Sequence, residues 1–212
     1  MAMMFTAAFF VFCSSVISAT PEVTTDVASS ESNITDGWNF IVNGSTYKML
    51  ARNFNLDGDT ETTKCLTSKL TNKNESSHRV NGFIRYLNCS TMKWINVSQI
   101  YQFSMDNTST YNIMTAIDGS EEPRATQTFV VNGTYCAGVT VVYSSTTIQD
   151  APSDGQAKPK CIIWLEYGQP DEDADSCRTS LKELCGDFHD TYDKTYCDST
   201  VTEISSDDAR TE

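Results

Sequence analysis

The sequence predicts an all-β fold: an eight-stranded antiparallel barrel, with a short N-terminal helix or arm before it and a C-terminal α-helix packed on its outside. Three observations predict it. Eight short β-rich runs follow one another at hairpin spacing, over residues 47–52, 62–71, 80–88, 93–105, 110–117, 125–131, 135–144 and 161–167. No helical periodicity interrupts them, and the one helical stretch follows the last run.

Taken in order, residues 1–19 read as a secretory signal peptide: an apolar run from Ala7 to Ile17 leads to the small pair Ser18-Ala19, just before Thr20-Pro21. The run is shorter than the roughly 20 apolar residues that cross a bilayer. Residues 20–36 are rich in Ser, Thr and acids and read as a disordered arm; 37–197 form the folded domain, and 198–212 a polar tail. The fourth run shows its period most clearly. Ile95, Val97, Tyr101, Phe103 and Met105 share one parity, and Asn96, Ser98, Gln102 and Ser104 the other, so one face is apolar and one is wet. In the fifth run Tyr111 and Ile113 share a face and Asn112 takes the other. The helix is expected over residues 176–185. Acids from Asp171 to Asp175 precede it, where the helix dipole favours them, Asp175 or Ser176 caps it, and Gly186 stops it; Leu181 and Leu184 are spaced to face the barrel wall.

Cleavage of the signal would remove Cys13 and leave seven of the eight cysteines, Cys65, Cys89, Cys136, Cys161, Cys177, Cys185 and Cys197. Behind a secretory signal these read as disulfides. Seven is odd, so one thiol is left free or links to another chain. Asn33, Asn43, Asn74, Asn88, Asn96, Asn107 and Asn132 each open an N-glycosylation triplet, and Asn96 falls on the wet face of its strand, where a glycan must lie. The net charge of −13 repels phosphate backbones and anionic membranes, which argues against nucleic-acid and membrane partners.

Chemistry for catalysis is missing from the pattern. The two histidines, His78 and His189, lie in polar stretches that read as surface turns, and Asn55–Glu61 lacks the glycine placement and flanking helices of a calcium loop. No nucleophile elbow, Walker loop or dinucleotide fingerprint occurs. The expectation is a binding protein, not an enzyme, with no cofactor and no metal.

Several segments together resemble the tick salivary lipocalins, the group that includes the histamine-binding proteins. They are Asp36-Gly37-Trp38, the stretch Tyr47 to Phe54 followed by Lys64-Cys65-Leu66, Cys136, Cys161-Ile162-Ile163-Trp164-Leu165, and Cys185-Gly186. Their order covers most of residues 36–197. The resemblance implies a lipocalin-type barrel and disulfides Cys136–Cys161 and Cys65–Cys185. Given these, Cys65 and Cys89 fall at one end of the barrel and Cys197 lies just beyond Cys185, which suggests Cys89–Cys197 and leaves Cys177 as the odd thiol. The protein is then expected to be a monomer, with a disulfide-linked dimer through the odd cysteine as the alternative.

The resemblance further implies that a small host mediator, by default histamine or another biogenic amine, is sequestered in the barrel to evade host inflammation and immunity. Amine-binding members of the family carry one acid directly after the seventh-strand cysteine and another two residues before the eighth-strand tryptophan. Here those positions are Ala137 and Ile162. Alkyl groups at both favour a hydrophobic ligand such as an eicosanoid or a sterol, since a buried ammonium needs a carboxylate. Glu166 shares the parity of Ile162 and Trp164 and is the candidate remaining acid; Asp106 and Asp118 lie near strand ends. The candidate barrel lining is Tyr47, Tyr101, Phe103, Tyr111, Phe129, Ala137, Ile162, Trp164 and Glu166. A third reading, a barrel filled by its own side chains that binds proteins on its surface, stays open here.

Overall fold

A computed structural model describes residues 36–55, 62–144 and 158–198. The signal segment with Cys13, the arm through residue 35 with Asn33, and the tail from residue 199 lie outside the described residues. The chain opens with a helical turn, α1 (Gly37–Phe40), whose cap Asp36 accepts a hydrogen bond from the Asn39 N–H at 3.0 Å. Eight strands follow: β1 (Thr46–Arg52), β2 (Thr63–Asn74), β3 (Arg79–Asn88), β4 (Lys93–Met105), β5 (Tyr111–Ala116), β6 (Ala125–Asn132), β7 (Cys136–Tyr143) and β8 (Cys161–Glu166). Their bounds agree with the expected runs to within one residue, except that β2 runs three residues further.

Each strand pairs antiparallel with the next, β8 pairs with β1, and β1 closes the barrel on β2 by setting Thr46, Tyr47 and Lys48 opposite Lys69, Ser68 and Thr67. Beyond Lys48 the C-terminal segment fills the seam. There β9 (His189–Asp190) pairs with Ala51 and Arg52, the Thr191 N–H donates to the Leu50 carbonyl, and the Cys65 N–H donates to the Thr191 carbonyl.

Strand alternation divides the buried residues into two layers. Inside the barrel sit Met49, Leu66, Val80, Tyr101, Phe103, Met114, Phe129, Val139, Ile162 and Trp164, among others. Outside it, Leu50, Ala51, Ile163 and Leu165 pack under α2 (Asp175–Cys185). The helix turns Cys177, Leu181 and Cys185 to the wall, at i, i+4 and i+8. Leu181 is fully buried where Gly138 leaves no room for a Cβ, whereas Leu184, expected on the same face, is exposed. The expected β4 face is interrupted too. A register shift between Ser104 and Met105 turns Met105 out, 52% exposed.

The three disulfides among the described residues differ from the expected pairings. They are Cys65–Cys197, Cys136–Cys177 and Cys161–Cys185, and the free thiol among the described residues is the half-buried Cys89, not Cys177. Strand register gives the reason. On the β7–β8 ladder Cys136 faces Leu165 and Cys161 faces Thr140, so the two cysteines sit four residues apart along the pair, about 13 Å. A disulfide needs Cα atoms within about 7 Å, so Cys136 and Cys161 cannot meet. Cys177 and Cys185 lie two helical turns apart on one face, about 12 Å. The two spacings match, and the helix is clamped at both ends. Cys197 reaches the barrel end that carries Cys89, as expected, but bonds Cys65.

Candidate functional site

The barrel interior is built differently at its two ends. At one end α1 lies across the opening. The Gly37 N–H donates to Asn112 Oδ1 at 2.9 Å, and a Cβ at Gly37 would run into the Phe129 ring. Trp38 stacks edge-on against Phe103, their centroids 5.1 Å apart, and its indole N–H donates to Glu75 at 2.6 Å. Asn112 in turn donates to Asp106 at 2.9 Å. This end is plugged, and only about 30 Å³ of space remains beside Tyr47, Leu70 and Phe129.

Toward the other end the interior widens into a cavity of about 380 Å³. Met49, Leu66, Val97, Val141 and Ile162 give it alkyl walls, Tyr101 and Trp164 its floor, and Tyr86, Tyr143, Glu122 and Pro123 its rim. Strand pairing sets the floor: Trp164 stands opposite Met49 on one side and Ala137 on the other. Its indole N–H donates to Gln127 Oε1 at 2.9 Å. Tyr101 lies over Gly82, where a side chain would collide with the ring. Burial pushes its hydroxyl well above the ordinary tyrosine range, so Tyr101 stays protonated.

The sequence-predicted residues divide as follows. Tyr101, Ile162 and Trp164 meet in the large cavity, while Tyr47 and Phe129 face the small space near α1. Phe103 is buried in the plug against Trp38, and Ala137 is buried behind the floor; neither borders either cavity. Tyr111 borders neither cavity. Asn112, Met114 and Ala116 take the buried positions of β5, and Tyr111, half-buried at the edge of the core, stacks on His78 at 3.7 Å. The cause is Asn112, whose amide is drawn inward to close the α1 end. Glu166 is not the cavity acid either: it sits at the α1 end, accepting from the Ser45 hydroxyl at 3.2 Å. Asp106 is engaged by its own loop through Thr108 and Thr110, and Asp118 pairs with Arg124 on the surface. His78 lies in the turn between β2 and β3, as expected, but is half-buried between Tyr111 and Trp38 and not solvated.

Besides its tyrosines, four polar residues of the cavity escaped the sequence reading: Thr63, Gln99, Gln127 and Glu122. Gln99 had a usable signal, because it holds the inward parity of Val97 and Tyr101 yet is polar. Gln127 has the same signature between Ala125 and Phe129 in β6. Glu122 is the lining carboxylate; it is exposed at the rim and already paired with Arg124 at 3.3 Å. Among the described residues no group of three His, Cys, Asp or Glu is placed to hold a metal ion.

On the outer surface Asn43, Asn74, Asn96 and Asn107 are exposed. Asn132 is half-buried, and its amide nitrogen donates to the Asp36 carbonyl at 3.0 Å, tying β6 to the α1 plug.

Against known proteins, the family described as tick histamine binding protein matches residues 26–199. Among solved structures the chain is similar to japanin from Rhipicephalus appendiculatus bound to cholesterol, at 12% identity and a TM-score of 0.47 over 73% of this chain and 96% of that one. It is also similar to the cockroach allergen Per a 4, at 13% identity and a TM-score of 0.47 over 76% and 91%. Bovine odorant binding protein in complex with its natural ligand follows at 10% identity and 0.38 over 70% and 84%. No curated protein sequence matches the chain.

Proposed function

Because the chain belongs to the tick histamine-binding protein family, we propose that it is a secreted salivary binding protein that holds one small, largely apolar molecule in its barrel and so sequesters a host mediator. The observation that carries this reading is the 380 Å³ cavity with Ile162 in its wall, at the position where the resemblance puts an amine-binding acid. The volume lies within the range of about 300–1,000 Å³ common for small-molecule sites. Walls of Met, Leu, Ile, Val and aromatic groups hold a ligand by burial, at about 25 cal/mol per Å² of apolar surface.

The family name makes histamine the default ligand, and the chemistry of the lining speaks against it. A buried ammonium has to meet a carboxylate. Glu122, the carboxylate on the rim, is exposed and faces Arg124; Glu166 and Asp106 belong to the α1 end. A barrel filled by its own side chains and working through its outer surface would lack the cavity.

The test is native mass spectrometry of the secreted protein exposed to a mixed panel of amines, eicosanoids and sterols. Retention of one lipid per chain is expected. Retention of amines alone would overturn the apolar reading, and retention of nothing would favour the surface-binding one.

A further inference from the structure

Gln99 is 2% exposed and lies in the cavity wall, on the inward face of β4 between Val97 and Tyr101. Its amide nitrogen donates to two backbone carbonyls of the β5–β6 connection, Glu121 at 2.7 Å and Pro123 at 3.2 Å. Both partners are acceptors, so the amide cannot be turned round: nitrogen faces the connection and oxygen faces away from it. That oxygen, Oε1, is buried and has no hydrogen-bond partner.

Gln127 shows the contrasting case across the same cavity. Its Oε1 is satisfied by the Trp164 indole N–H at 2.9 Å. One wall carboxamide is therefore complete within the protein and the other is not. An unmet buried acceptor is costly; Oε1 is itself shut off from solvent, so a molecule in the cavity relieves that cost once a small shift of the Gln99 side chain opens the oxygen to it.

We propose that the ligand carries a neutral hydrogen-bond donor, an aliphatic hydroxyl on an apolar body, and that Gln99 Oε1 accepts from it. This deepens the proposed function and rests on it. A carboxylate head would set acceptor against acceptor at Gln99. An ammonium would supply donors but would be buried with no carboxylate beside it other than the rim residue Glu122, which Arg124 already holds.

The test is a matched series sharing one apolar chain: 1-decanol, decyl methyl ether, decanoate and decylamine. Binding is followed by tryptophan fluorescence, since Trp164 floors the cavity. With the wild-type protein decanol should bind about tenfold more tightly than the ether, the value of one satisfied buried acceptor. In Gln99→Met the two should bind alike. The wild-type comparison stands even if that variant loosens the Glu121–Pro123 connection or fails to fold. Equal affinity of wild type for decanol and the ether, or preference for decanoate or decylamine, overturns the assignment to Gln99 and leaves the barrel-binding reading intact. Failure of the whole series to bind overturns both.

Discussion

The two ends of this barrel are made from the same strands and do opposite things. The α1 end closes the interior with rings and a polar chain. Trp38, Phe103 and Phe129 pack under the helical turn, and Gly37, Asn112 and Asp106 run in one line of hydrogen bonds. At the other end the inward positions leave space, with polar atoms at Thr63, Gln99, Gln127 and Tyr101 on a largely apolar wall, and Glu122, Tyr86 and Tyr143 at its rim. Eight strands enclose only enough room for their own side chains or for one small ligand, and here the two uses are divided along the axis. Stability should therefore concentrate at the plug and ligand discrimination in the cavity.

The largest test of that division is Phe103→Ala. Phe103 is 2% exposed and touches both Trp38 and Phe129, so truncation should cost about 3–5 kcal/mol, read as a fall in the urea midpoint. Val97→Ala in the cavity wall should cost well under half as much, because its methyls face space on one side. Equal losses at the two sites would end the claim that the plug carries the stability.

Gly37→Ala comes next. A methyl group there meets the Phe129 ring, and overpacking of this kind costs about 1–3 kcal/mol. The ligand preferences of the surviving folded protein should be unchanged, since neither residue borders the large cavity. This can be checked by thermal unfolding beside the decanol–ether comparison.

How much of this was legible in the sequence follows from the physics of each signal. Strand bounds were, because alternation and turn residues are local. Tyr101 was, because β4 alternates cleanly through the cavity; Ile162 and Trp164 were placed inside by the family resemblance, since β8 is buried on both faces and carries no alternation. Tyr111 was not, since the inward position beside it belongs to Asn112, whose partner Gly37 lies 75 residues away. The disulfides were not, because pairing depends on ladder register: Cys136 faces Leu165 and not Cys161. Gln99 was hidden by the reading itself, which followed the apolar members of its parity and passed over the one polar residue among them.

A smaller effect is expected at Gln127→Met. At the plug the Trp38 indole N–H meets an exposed carboxylate, and in the cavity the Trp164 N–H meets a buried carboxamide. Buried indoles need such partners. Removing the Gln127 oxygen should cost about 1 kcal/mol and shift the Trp164 emission. Glu75→Gln, which leaves Trp38 an acceptor at the surface, should barely move the midpoint.

The smallest effect, and the one that separates the ends by chemistry, is the response to acid. The Trp38 indole N–H holds the Glu75 carboxyl below its ordinary value, and hydrogen bonds from Thr108 and Asn112 hold Asp106 well below its own. Both carboxylates belong to the α1 end. A carboxyl whose folded pKa is depressed binds fewer protons folded than unfolded between the two values. Its contribution is thus complete above the unfolded pKa and drains away as pH falls toward the folded one. Between about pH 6 and about pH 3, through the unfolded carboxylate range, the thermal midpoint should drop, modestly because both groups are solvent-exposed. Asp106→Asn should start lower at neutral pH and slope less steeply in acid, with the Asp106–Asn112–Gly37 line weakened in advance. If the variant keeps the wild-type acid slope, Asp106 contributes nothing to holding α1 in place, and closure of that end rests on the rings and the Trp38–Glu75 bond.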